Sequence, residues 1–289
     1  MTLPSSVSIV EDISGYPIVV VNHPMASGRI ALNGAHVMEW TPKDSNPVLY
    51  MSPLAVLEPS KAIRGGIPIC WPWFGPHPTD ASQPAHGFVR NLMWTVGNIS
   101  ENLTGVTLEF LLSDGPDSTP YWPHPFSLRL EIKMGVTLSV DLHITNTGAS
   151  EWSMTGALHT YLCVDDVRDA AVMGLDDSYY VESRLSPDRI EQSGPVYFDR
   201  EVDRLYDSRN TVRLMDRKGR RTVVVDKGGS HATVVWNPWI EKSQRLSDLP
   251  DDAYPFFVCI EAANAGHQII NLGPGEEHTL SQRLRLQSF

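Results

Sequence analysis

The chain has 289 residues, enough to bury a large core, and all-β sandwiches and barrels of this size commonly form one domain. Its 34 acidic residues against 23 basic ones give a formal net charge of −11, which argues against a nucleic-acid backbone or an anionic membrane as a general partner; an anionic ligand would need a local basic pocket. No Lys or Arg precedes Arg29 and no apolar run is long enough to span a bilayer, so neither a signal peptide nor a membrane segment is expected, and the predicted location is cytoplasmic.

In chain order, β-rich runs are predicted over residues 17–21, 48–51 and 106–112. The clearest signal follows: Phe126, Leu128, Leu130, Ile132 and Met134 alternate with polar residues, and Val136, Leu138, Val140, Leu142 and Ile144 do so again, which predicts two half-buried strands joined near Gly135. Further runs are predicted over 222–226, 233–236, 256–261 and 279–286. The charged, weakly periodic stretch 176–213 is expected to hold loops and short strands over one face. No long segment has a 3.6-residue apolar period, and 22 prolines with 21 glycines suit turns and strand ends. The predicted fold class is all-β, a large antiparallel sandwich with few short helices, in one domain over residues 1–289. Cys70, Cys163 and Cys259 are widely spaced among apolar neighbours, so no disulfide framework is expected.

Several segments could carry chemistry. Between Lys61 and Pro76, aromatic rings and tight-turn residues surround one guanidinium: Gly65 and Gly66 let the backbone approach a ligand, and Arg64 offers a planar fork suited to phosphate or carboxylate, unless it merely sits on a surface turn. His86 and Arg90 lie four apart beside Gly87 and would face the same cleft if the chain bends there. From Gly156 to Leu162 the pattern reads as a strand with Ala157, His159 and Tyr161 on one face, so His159 either lines a cleft or fills a core position. The apolar run ending in Glu261 buries a carboxylate that needs a hydrogen-bonded partner, whether for catalysis or for a structural ion pair. Asp203 lies in a charged run that reads first as a solvated loop, although it could accept hydrogen bonds from sugar hydroxyls. Trp236 and Trp239 flank a turn, with Lys242 and Asp248 following, and are suited to a sugar face or to a core. His77 and His86 lack a companion at metal-ligand spacing, and neither a P-loop nor a dinucleotide fingerprint occurs, so no metal and no cofactor is expected.

Together, Arg64-Gly65-Gly66-Ile67-Pro68, Trp73-Phe74-Gly75, His86-Gly87-Phe88-Val89-Arg90, Leu158-His159-Thr160-Tyr161, Trp236-Asn237-Pro238-Trp239 and Glu261-Ala262-Ala263-Asn264 resemble the glucose-6-phosphate 1-epimerases, within the aldose 1-epimerase or galactose mutarotase-like group. The motifs keep the family order from Arg64 to Asn264. The resemblance implies a twisted β-sandwich isomerase that interconverts the anomers of glucose 6-phosphate without a cofactor. It implies His159 and Glu261 as catalytic groups, Arg64 and Arg90 at the phosphate, and His86 and Asp203 around the sugar. Some members carry Gln directly before the His-Gly pair; here Ala85 stands there, which removes one polar contact. The implied partner is a small sugar phosphate, with no nucleic acid and no membrane, and a monomer is expected. The competing readings are an aldose 1-epimerase acting on unphosphorylated sugars, a retaining glycosidase using Asp203 and Glu261 as a carboxylate pair, and a non-catalytic carbohydrate-binding protein.

Overall fold

The strongest alternation in the sequence becomes the centre of an eight-stranded antiparallel sheet in the computed structural model, which describes residues 3–12, 15–182 and 188–288. Strands Phe126–Gly135 and Thr137–Asn146 pair from Phe126 opposite Asn146 to Met134 opposite Leu138. The alternating apolar set from Phe126 to Met134 is buried throughout, while Val136 sits at the turn and is exposed. On one side, strand Glu277–Ser288 pairs with Thr137–Asn146 and leads to Arg221–Gly228, Val212–Asp216 and Ala170–Met173. Gly105–Ser113 and Thr95–Asn102 complete the other edge.

A second eight-stranded sheet carries, in spatial order, Ile190–Glu191, Tyr179–Glu182, Val202–Tyr206, Ala232–Asn237, Phe257–Asn264, Gly156–Leu158 and Ile69–Cys70. Tyr161–Cys163 also pairs with Phe257–Asn264. One face of this sheet, with Leu158, Leu162, Val235, Val258 and Ile260, packs on Leu130, Leu142 and Leu284 of the first in a single core. Each such side chain contributes about 1.5–3 kcal/mol on full burial, so the stacked faces are the main source of stability. A four-stranded sheet of Val7–Glu11, Pro17–His23, Ala26–Ala31 and His36–Pro42 joins through Trp40, whose Nε1 donates to Gly135 O at 3.0 Å. The described α-helix, Trp239–Ser243, has five residues, and no described helix is long and apolar enough to cross a membrane.

Two expectations are corrected. Residues 48–51 form only isolated bridges, Leu49 to Leu162 and Met51 to Gly65, because Pro47 and Pro53 close in on both sides and cannot donate to a ladder. The stretch 176–213 is not a cover over one face. Its strands Tyr179–Glu182, Ile190–Glu191 and Val202–Tyr206 extend the second sheet, and Val212–Asp216 belongs to the first; residues 183–187 lie outside the described chain. The period of Val202–Tyr206 was hidden by a buried charge, Arg204, which sits on the Val202 and Tyr206 side of the strand. Its guanidinium is held by Glu182 and Gln192 and lies over the Tyr180 ring at 4.5 Å.

Candidate active site

The outer face of the second sheet is where the sequence-predicted groups meet. Strand Phe257–Asn264 lies between strand Ala232–Asn237 and the two short strands Gly156–Leu158 and Tyr161–Cys163 that flank His159, with Leu158 opposite Ala262 and Tyr161 opposite Cys259. That common register sets His159 directly across from Glu261. Thr160 and Ile260, one step further along, share a backbone hydrogen bond, so His159 and Glu261 form the non-hydrogen-bonded type of pair, in which Cα atoms approach to about 4.5 Å and side chains lie closest. His159 Nε2 stands 3.4 Å from Glu261 Oε1, with Glu261 1% and His159 9% exposed. The period of two adds the rest of the face: Tyr161 stacks on the His159 ring at 4.9 Å, and Trp236 meets it edge-on at 5.9 Å.

The expected continuous strand from Gly156 to Leu162 is interrupted. Thr160 N donates to Leu158 O at 3.0 Å, a γ-turn centred on His159, while His159 N donates to Pro68 O. Residues 157, 159 and 161 nevertheless keep to the site face.

The other groups arrive on loops fixed by glycines. Arg64 precedes Gly65 and Gly66, which adopt φ of +115° and +59°; a Cβ on Gly66 would run into Val37 O and the His36 ring. Arg64 Nε donates to Asp248 Oδ1 and Nη1 to the Tyr161 hydroxyl, both at 3.0 Å, which leaves the Nη2 edge for a ligand. Tyr161 first and Asp248 second hold the Arg64 guanidinium above its usual range, against desolvation, so its positive charge is secure. Burial pushes the Tyr161 phenol up, keeping it a neutral hydroxyl. The chain bends at His86, which takes φ of +66°, and a Cβ on Gly87 would collide with Trp71 O. The bend brings the His86 ring to 5.7 Å from that of His159. Arg90 follows in the 3-10 turn Val89–Asn91, its Nη2 donating to Ala85 O at 2.7 Å and its buried Nε without an acceptor among the described residues.

Arg64, His86, Arg90, His159, Asp203 and Glu261 thus line one cavity of about 290 Å³, together with Ala85, Tyr161, Val234, Trp236, Lys242 and Leu246. Asp203 is on strand Val202–Tyr206 opposite Trp236, not on a solvated loop. Lys242, assigned no role from its motif, extends from the short helix to Glu201 Oε1 at 2.6 Å and Asp203 Oδ2 at 3.3 Å. No pattern could have revealed it, because a five-residue helix has too few turns to show a face. Tyr161 was legible only as a neighbour of His159 on the same face. The retaining-glycosidase reading loses its basis: Asp203 pairs with Lys242 and Glu261 with His159, and the strand Ala232–Asn237 separates the two carboxylates. Among the described residues no cluster of three or more His, Cys, Asp or Glu could hold a metal ion.

A histidine–glutamate pair thus lies on the open face of a mostly antiparallel sandwich. A galactose mutarotase-like protein from Clostridium acetobutylicum shares this fold at a TM-score of 0.76 and 15% identity, over 99% of this chain and 100% of that one. A Salmonella typhimurium protein provisionally described as a mutarotase matches at a TM-score of 0.93 and 31% identity, over 100% of this chain and 96% of that one. In sequence, an Escherichia coli (strain K12) protein provisionally named a glucose-6-phosphate 1-epimerase is 35% identical over 249 residues, 86% of this chain and 83% of its own. The aldose 1-epimerase family matches residues 17–285. The chain belongs to the aldose 1-epimerase family and is an isomerase of the epimerase type.

Proposed function

We propose that the chain interconverts the α and β anomers of a hexose 6-phosphate, glucose 6-phosphate foremost, by acid–base ring opening and reclosure. The observation that carries this reading is the 3.4 Å contact between His159 and Glu261 inside a cavity that also presents the guanidinium groups of Arg64 and Arg90. In a chain of net charge −11, two arginines on one small cavity favour an anionic ligand.

Ionised Glu261 takes the proton of the C1 hydroxyl while protonated His159 donates one to the ring oxygen. The C1–ring oxygen bond breaks, its electron pair stays on the oxygen, and the C1 carbonyl forms. Rotation about C1–C2 presents the other face of the aldehyde. Reclosure then runs the transfers backwards, with Glu261 returning a proton to the carbonyl oxygen and His159 removing one from the attacking hydroxyl. No atom is gained or lost. Arg64 and Arg90 hold the phosphate away from the reacting bond, so that its binding energy is spent on positioning C1. His86 and Asp203 meet sugar hydroxyls, and Lys242 fixes the Asp203 carboxylate at the wall. One chain supplies every group, which fits a monomer, and a dianionic sugar phosphate does not cross a bilayer, which fits a cytoplasmic enzyme.

Exchange NMR of the anomeric signals tests this with glucose 6-phosphate, glucose and galactose. Wild type should accelerate exchange of the phosphorylated sugar most. Glu261→Gln should lower kcat by about 10²–10⁴-fold while retaining most binding. Arg64→Ala with Arg90→Ala should raise KM for glucose 6-phosphate and leave glucose unaffected; equal rates on glucose 6-phosphate in that double variant would refute the phosphate assignment.

A further inference from the structure

The γ-turn at His159 has a cost in the ladder. In a regular antiparallel pair, Thr160 and Ile260 would exchange two backbone bonds. Here Ile260 N donates to Thr160 O at 3.1 Å, but Thr160 N is turned back to Leu158 O, so Ile260 O loses its strand partner in a fully buried position. A buried carbonyl without a donor forfeits its hydrogen bond to water and gains none in return. The missing donor comes from the opposite sheet. Gln282, on strand Glu277–Ser288, is 1% exposed and crosses the core so that its Nε2 donates to Ile260 O at 2.9 Å. Its Oε1 accepts from the Thr160 hydroxyl, which orients the amide. One side chain therefore bridges both strands at the residues next to His159 and Glu261, from behind the face that holds them.

We propose that Gln282, with Thr160, is a positioning device for the catalytic pair: it permits the γ-turn that lifts His159 and fixes the height of His159 relative to Glu261. A buried amide between the two sheets is not needed for packing, since a side chain of the same length without polar atoms would fill the space. Its groups are committed to the one backbone oxygen that the turn leaves open and to the hydroxyl beside it. The inference rests on the acid–base role of His159 and Glu261 proposed above, and it predicts an effect on turnover that is separable from binding.

The test compares Gln282→Met, which keeps length without the amide, with Thr160→Val and Thr160→Ser. Anomer exchange of glucose 6-phosphate is measured well below each variant's melting temperature, and the ring-nitrogen signals of His159 are followed against pH by NMR. Misplacing a catalytic group by about 1 Å can cost about 10²-fold, so Gln282→Met and Thr160→Val should lose between about ten- and a hundredfold in kcat with KM within about twofold. Both should shift the His159 titration, and Thr160→Ser, which keeps the hydroxyl, should restore both properties. Wild-type kcat and an unmoved His159 titration in the folded Thr160→Val protein would overturn the proposal, whatever happens to the stability of Gln282→Met. A wild-type protein inactive on every sugar would sink the proposed reaction instead, while the His159 titration would still report whether Gln282 and Thr160 set its position.

Discussion

His36 lies 1% exposed beneath the turn that carries Arg64, with its Nε2 donating to Gly65 O at 2.8 Å. Burial above all pushes this imidazole down to about 3, with the nearby Arg90 charge acting in the same direction. The folded protein therefore holds His36 neutral where the unfolded chain, titrating near 6.5, takes up a proton. The stabilisation is fully present above about pH 6.5 and is lost as the pH falls below it, by about 2 kcal/mol at pH 5. His278, also lowered by burial and by His231, adds in the same direction. Urea titrations at pH 7.5 and pH 5 should show the wild-type midpoint falling on acidification, and His36→Gln should fall less. Equal pH dependence in the two proteins would mean that His36 is not the group responsible. At this scale the sequence named Arg64, His86, Arg90, His159 and Glu261 by residue type and motif. It left Arg64 between a surface turn and a ligand, and His159 between core and cleft, because the direction of a side chain depends on neighbours far away in the chain.

Glycines set the elements that aim these residues. Gly66 combines φ of +59° with a Cβ position blocked by Val37 O and, at 2.6 Å, by His36 Nε2. Gly194 shares a positive φ of +68° but has none of the described atoms within 4 Å of its Cβ position. Gly194→Ala should therefore cost only the backbone strain of a left-handed residue, about 1–2 kcal/mol. Gly66→Ala must also move a strand carbonyl and should cost clearly more, with a rise in KM for glucose 6-phosphate as Arg64 shifts. Thermal unfolding and exchange kinetics of the two variants decide the matter; equal losses would show that close packing at Gly66 is unimportant. The strands themselves were legible wherever alternation was unbroken, as from Phe126 to Ile144. They were illegible where a paired charge took a core position, as at Arg204, and the interruption at His159 gave no local signal because its compensation comes from Gln282 on the other sheet.

Across the whole molecule one apolar core joins the backing sheet to the sheet that bears the site. Leu130→Ala, on the side remote from the cavity, should cost about 2–5 kcal/mol. For a chain of this size each kcal/mol lowers Tm by roughly 2–4 °C. The loss should appear together in far-UV circular dichroism and in tryptophan fluorescence, since Trp236 at the site and Trp40 in the core then unfold as one unit, and kcat at 25 °C should not change. Separate transitions would show that the sheets are held independently. Taken alone, the sequence determined the all-β class, the inward face of the strands whose alternation is unbroken, and the glycine-bearing turns, because a period of two and left-handed backbone positions are local properties. The family motifs in order added which residues to watch. Only the tertiary structure decided that His159 stands across from Glu261, that Lys242 holds Asp203 and that Gln282 grips the strands behind them. Those facts depend on the register between strands distant in sequence, and register is set by the whole core's packing rather than by any one segment's pattern.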